Sequence, residues 1–276
     1  MRRYLGYIGN EVAGQPPVNP LVAEINRISD DEYEVISISG PTNVDLEIED
    51  DQNTNMVTAI NNVNLPYIIS LTGNGYNASD VLRVRSREIG GDWQEWVIDW
   101  AVDGILQAQN TNMQLGNELE YIWRPTYQDD FARYVAQGNG GNDTNSFLIS
   151  YESGATGINL KGTERADRRL LSDDTLNKIS TYTVELINNN NGTYTVNQNL
   201  NGNQRTDSAD DNMIPQNSTY LFTLGAQSDL SRSSQSKIYY LKNGTEIFKM
   251  KEGSGIITTG SEGTILEVKS GNWVRA

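Results

Sequence analysis

The chain has 276 residues, with 21 basic against 36 acidic side chains (net charge −15) and neither Cys nor His. That length allows about two domains with real cores, while the missing Cys and His exclude a thiol nucleophile, disulfides, zinc fingers, histidine-ligated haem and a Ser-His-Asp triad. The acidity argues against nucleic acid or an anionic membrane as partner, and no apolar run approaches the ~18 residues of a membrane-spanning helix.

Residues 1–20 read as an extended arm. Tyr4-Leu5-Gly6-Tyr7-Ile8-Gly9-Asn10-Glu11 follows Arg2-Arg3 without a continuous apolar core, so no secretory signal is expected. Pro16-Pro17 and Pro20 oppose both helix and central strand. Tyr4, Leu5, Tyr7 and Ile8 are wasted on a free tail and are expected to dock the arm on a partner protein.

Beyond the arm, 31 Asn and 25 Gly point to many tight turns between short strands, and the class expected is all-β. Residues 21–103 fit a small immunoglobulin-like sandwich. Its one helical candidate is Leu21–Ile28. Tyr33, Val35, Ile36 and Ile38 mark a strand. Val44, Leu46 and Ile48 alternate with Asp45, Glu47 and Glu49, the period of a half-buried strand. The three carboxylates imitate a glycosidase pair, but a solvated strand face is the expectation. Further strands are expected at Tyr67–Ile69, Val81–Arg85 and Trp93–Trp100. Arg83, Arg85 and Arg87, the Gly90-Gly91 turn, and Trp93 with Trp96 resemble hairpins of bacteriophage tail-fibre proteins.

Residues 104–114 show no buried pattern and read as a connector, with the boundary near residue 110. From 115 to 276 the strands resume. Leu119, Tyr121 and Trp123 alternate with polar neighbours, and Phe147-Leu148-Ile149 precedes a Gly154–Gly157 turn. Tyr182–Leu186 and Thr193–Val196 flank an Asn-Gly turn, and a second Asn-Gly stands at Asn201-Gly202. Tyr194-Thr195-Val196 with Asn201-Gly202, then Leu221–Ala226, then Lys237–Lys242 resembles the concanavalin A-like (laminin-G-like) family. The resemblance implies a jelly-roll β-sandwich over 115–276. Thr264–Lys269, Ser270-Gly271-Asn272 and Trp273-Val274 read as a terminal hairpin like those of phage fibre and appendage proteins.

That family holds lectins, glucanases and structural modules. The glucanase branch carries Glu-x-Asp-x-x-Glu on one strand, and no such run follows residue 110, so no catalytic residues and no enzyme are expected. Glycan binding is expected from amide- and carboxylate-rich loops: Asn139, Asn142, Asp143, Asp210 and Asn212, with Tyr134 for stacking, and Tyr127 and Tyr220 nearby. Asp210-Asp211 offers oxygen ligands for calcium, as does Asp173-Asp174; no other cofactor is expected. Lys161, Arg165, Arg168 and Arg169 read as a solvated basic loop, and Gly138–Gly141 as a turn without the Lys-Ser/Thr of a phosphate loop. The features together point to a structural and adhesive component of a tailed-phage virion (tail fibre, appendage or head decoration). Such a protein is made in the host cytoplasm, released by lysis and homo-oligomeric, and it contacts other virion proteins and a host surface glycan. The alternatives are a bacterial glycan-binding protein outside any virion and, third, a glycoside hydrolase.

Overall fold

A computed structural model describes residues 21–50, 53–71, 75–76, 81–98, 100–126, 131–139, 143–163, 167–172, 175–250, 257–260 and 263–275. The arm with Tyr4, Leu5, Tyr7 and Ile8 lies outside the described residues, as do Tyr127, Asn142, Arg165 and Asp173-Asp174. Among the described residues the regular elements are strands plus a single 3-10 turn, Asp211–Met213.

The first seven strands are β1 (Val22–Arg27), β2 (Glu32–Ser39), β3 (Asn43–Asp50), β4 (Asn53–Asn64), β5 (Tyr67–Ser70), β6 (Leu82–Glu88) and β7 (Val97–Ile98). They form a three-stranded sheet, β1-β2-β5, and a four-stranded one, β4-β3-β6-β7. Alternation drives both. Tyr33 and Val35 of β2, Val44, Leu46 and Ile48 of β3, and Leu82 and Val84 of β6 point into one core shared by the two sheets. Each such burial contributes roughly 1.5–3 kcal/mol.

The helix expected over Leu21–Ile28 is instead strand β1. Leu21, Ala23 and Ile25 pack inward at the two-residue period of a strand, and the backbone pairs with β2. Arg27 continues the inward row, buried but satisfied: its Nη1 donates to the Tyr33 hydroxyl at 2.8 Å and its Nη2 to the Asp30 carbonyl at 2.5 Å. The strand expected over Trp93–Trp100 is also shorter, with only Val97–Ile98 paired on β6.

The remaining strands are β8 (Trp100–Ala108), β9 (Glu118–Pro125), β10 (Arg133–Gln137), β11 (Ser146–Glu152), β12 (Ala155–Lys161), β13 (Asp167–Ser172), β14 (Ser180–Asn188), β15 (Thr193–Leu200), β16 (Asn203–Asp210), β17 (Thr223–Leu224), β18 (Ser236–Asn243), β19 (Glu246–Lys249), β20 (Ile257–Thr259) and β21 (Ile265–Arg275). All belong to one sheet of 14 strands, whose main path runs β13-β12-β11-β10-β17-β8-β18-β9-β14-β15-β16. The sheet curls until its two end strands approach each other across the core. Gln198 of β15 spans that curl, its Oε1 accepting from the Tyr182 hydroxyl (2.5 Å) and from the Ile158 N–H of β12 (3.3 Å). At the centre Trp123 stacks on Tyr121 at 5.0 Å and meets Tyr134 at 4.8 Å.

Three expectations change here. Residues 104–108, read as connector, belong to β8, which pairs with β17, β18 and β21 in the middle of the sheet. The terminal hairpin is one continuous strand, β21, lying along β8 with a register shift between Val268 and Ser270. Gly271 (φ 91°) faces Gly104 there, and a Cβ on either would overlap the other strand's backbone. The glycine thus admits a bulge and a close approach, not a turn. Finally, of Leu221–Ala226 only Thr223–Leu224 is strand.

The small sheets dock on the large one through polar contacts. Ile179 N–H donates to Asp30 Oδ1 (3.1 Å), Thr181 Oγ1 to the Ile28 carbonyl (3.4 Å), and Lys249 pairs with Glu24 (2.6 Å).

Candidate functional site

The carboxylates of β3 do not form a solvated face. Each meets an arginine of β6 in register: Asp45 with Arg87 (3.0 Å), Glu47 with Arg85 (2.5 Å), and Glu49 with Arg83. Trp93 and Trp96 then lie among the guanidinium groups. Trp96 stands 4.9 Å from Arg83 and 4.7 Å from Arg85; Trp93 stands 5.1 Å from Arg85 and 4.4 Å from Arg87. The order Arg83-Trp96-Arg85-Trp93-Arg87 is a continuous cation–π stack. Its carboxylates are paired with arginine and its rings lie against guanidinium groups.

The loop residues expected to bind glycan are brought partly together. Asp143 accepts a hydrogen bond from the Asn139 N–H and stands beside Tyr220, whose hydroxyl pKa it raises by hydrogen bonding. Asn145 N–H donates to the Gly162 carbonyl (2.9 Å), and Thr163 N–H to that of Asn212 (2.9 Å). The Asp143 loop and the Asn212 turn therefore flank the same strand end. Asp210 closes β16 opposite Thr193. Tyr134 is elsewhere: it is fully buried against Trp123, with its hydroxyl 3.2 Å from Thr175 Oγ1, so it offers no stacking face. Among the described residues no group of three His, Cys, Asp or Glu side chains is placed to hold a metal ion, at Asp210-Asp211 or elsewhere.

A groove of about 550 Å³ lies on the outer face of β18-β9-β14-β15-β16. Register explains its lining. Lys242, Glu120, Thr183, Asn199 and Gln204 are consecutive cross-strand partners on five neighbouring strands. At ~4.8 Å per strand that row is about 19 Å long. A second row, Glu118, Glu185, Asn197 and Thr206, runs beside it.

The two rows differ in what they leave unspent. The second is closed on itself: Asn197 Nδ2 donates to Glu185 (2.9 Å), Thr206 Oγ1 donates to Asn197 (2.9 Å), and Glu118 holds Lys242 (2.6 Å). In the first, the side chains of Glu120, Thr183 and Gln204, and the Nδ2 of Asn199, make no hydrogen bond among the described residues. Burial raises the Glu120 pKa; Lys242 opposes the shift, and Glu34 of β2 adds to it. Tyr240, two residues from Lys242, borders this end, its hydroxyl pushed up to about 12 by burial and by Glu120 and Glu34. Sequence reasoning missed this groove. Its residues look like ordinary outward positions until the long-range pairing of β18 with β9 aligns them.

No family model matches the chain, and a search of curated proteins finds no match.

Proposed function

We propose that this protein is a non-catalytic, glycan-binding structural component of a tailed-phage particle. The groove carries the reading. A row of hydroxyl, amide and carboxylate groups with unspent hydrogen-bonding capacity, on a rigid sheet, suits an extended polyhydroxylated ligand. The binding face thus moves from the loops around Asn139 and Asp210 to the sheet beside them. We read the small two-sheet unit as an immunoglobulin-like attachment domain and the curled sheet as a concanavalin A-like jelly roll. The arm and small unit contact other virion proteins, while the large sheet faces a host surface glycan. A shallow open groove holds each ligand weakly, so binding gains from several copies in one homo-oligomer.

Mass spectrometry of purified particles tests the virion half. Stoichiometric recovery of the chain supports it. Recovery only in the particle-free lysate points instead to a glycan-binding protein outside the virion. A glycan array on the full chain tests the binding half. The glycoside-hydrolase reading rests on the raised pKa of Glu120 near Glu118 and Glu185, and release of reducing sugar would establish it in place of pure binding.

A further inference from the structure

We infer that the chain pairs with a second copy of itself through β4, the two β4 strands running antiparallel with Ala59 on the two-fold axis, so that two four-stranded sheets become one of eight. This gives the homo-oligomer of the reading above its interface, and its failure would leave the glycan and virion halves of that reading standing.

An open sheet edge is a row of unpaired N–H and C=O groups, and folded chains protect it by shortness, charge or proline. The other edge strands here are protected. β5, β7, β19 and β20 have four residues or fewer, and β1, β13 and β16 carry charged residues, Arg27, Arg169 and Asp207 among them. β4 is the exception. It has 12 residues with neither charge nor proline, and among the described residues it pairs with β3 alone. It also lies in the longest uncharged run of the chain, 28 residues from Gln52 to Ser79.

Two properties name a second copy as the occupant. Each copy carries a net charge of −15, so two copies meet most readily where charge is absent or balanced. β4 has none, and Asp45, Glu47 and Glu49 on β3 beside it are matched by the arginines of β6. In addition, Ile60 and Val63 pack on the small core yet stay half-buried at its rim. A two-fold normal to the sheet sets like faces together, so the partner's β4 covers that rim and joins the two cores under one sheet. Register locates the axis. Val57–Ile60 is the regular stretch between two register shifts, and within it Ala59 is exposed and small enough for two backbones to close.

The test is light scattering with size exclusion on the full chain at micromolar concentration. The expected mass is twice that of the chain. Ala59→Lys sets two ammonium groups on the axis and should return the mass to one chain with an unchanged circular dichroism spectrum. The chain has no cysteine, so Ala59→Cys gives a second readout. Opposed residues of antiparallel strands stand about 4.5–5.5 Å apart, within reach of a disulfide, and mild oxidation should link the copies. Ser208→Cys, exposed on the charged edge β16, should stay unlinked. The two cysteine variants decide the matter if Ala59→Lys does not fold. A monomeric chain overturns the inference and leaves the edge to a strand of another protein. A dimer that survives Ala59→Lys, or that links no faster at residue 59 than at residue 208, overturns it by placing the interface elsewhere.

Discussion

Glu120 shows how one side chain links stability to the groove. Its folded-state pKa lies above the ordinary carboxylate value of 4.5 because burial and Glu34 disfavour the charge more than Lys242 favours it. Between the ordinary and the raised value the folded chain binds more protons than the unfolded one, so this group's contribution to stability falls as pH rises through that window. Glu120→Gln should therefore raise the melting temperature at pH 7–8, with the gain gone below the ordinary carboxylate pKa. Calorimetric melts at pH 3.5 and 7.5 check the sign; a larger gain in acid contradicts it. At the same scale, Trp96 bridges Arg83 and Arg85. Trp96→Ala should cost about 1–3 kcal/mol in urea unfolding. Arg85→Lys should cost less, since it keeps the charge and loses the flat face that stacks.

At the scale of elements, β8 is the strand on which the large sheet depends, because it pairs with β17, β18 and β21. A fragment beginning at residue 112 lacks it and should give no cooperative melt by circular dichroism. A fragment beginning at residue 100 should melt cooperatively. If the shorter one folds as well, the central placement of β8 is wrong. Gly271→Ala should destabilise the full chain by about 3 kcal/mol or more, because the φ of 91° and the adjoining backbone of Asp103 both refuse a side chain. The same strands show what the sequence made legible. β9 was readable because Leu119, Tyr121 and Trp123 face one core at a strict period of two. The β14–β15 and β15–β16 hairpins were readable from their turns, where Asn190, Gly192, Asn201 and Gly202 all take positive φ. β8 was not. Gly104 is there for a close approach, and Gln107 is buried with its Nε2 donating to Thr223 Oγ1 (3.0 Å) and to the Ser228 carbonyl (2.7 Å). A glycine and a satisfied buried amide look like linker in one dimension. β1 was misread for a related reason, because its inward Arg27 hides the alternation. The groove was invisible because no local pattern encodes a row assembled from five strands.

For the molecule as a whole, the small sheets and the large sheet have separate hydrophobic cores, with polar contacts of Asp30 and Glu24 between them among the described residues. Scanning calorimetry should accordingly resolve two transitions, and Lys249→Ala with Asp30→Ala should spread them further apart; a single transition with coincident probes would show one cooperative unit. The pairing of β8 with β21 also dictates an order of events in synthesis. β8 leaves the ribosome early, yet the strand lying along most of its length is made only after β9 to β20. Until then the middle of the future sheet carries an open edge of unpaired N–H and C=O groups, the kind of template on which nascent chains pair wrongly. Such non-local pairing makes folding slow, and crowding several nascent chains on one message would reward mispairing between neighbours. Expression at reduced temperature, or with a holding chaperone, should raise the soluble yield of the full chain more than that of a small-sandwich fragment ending before β8.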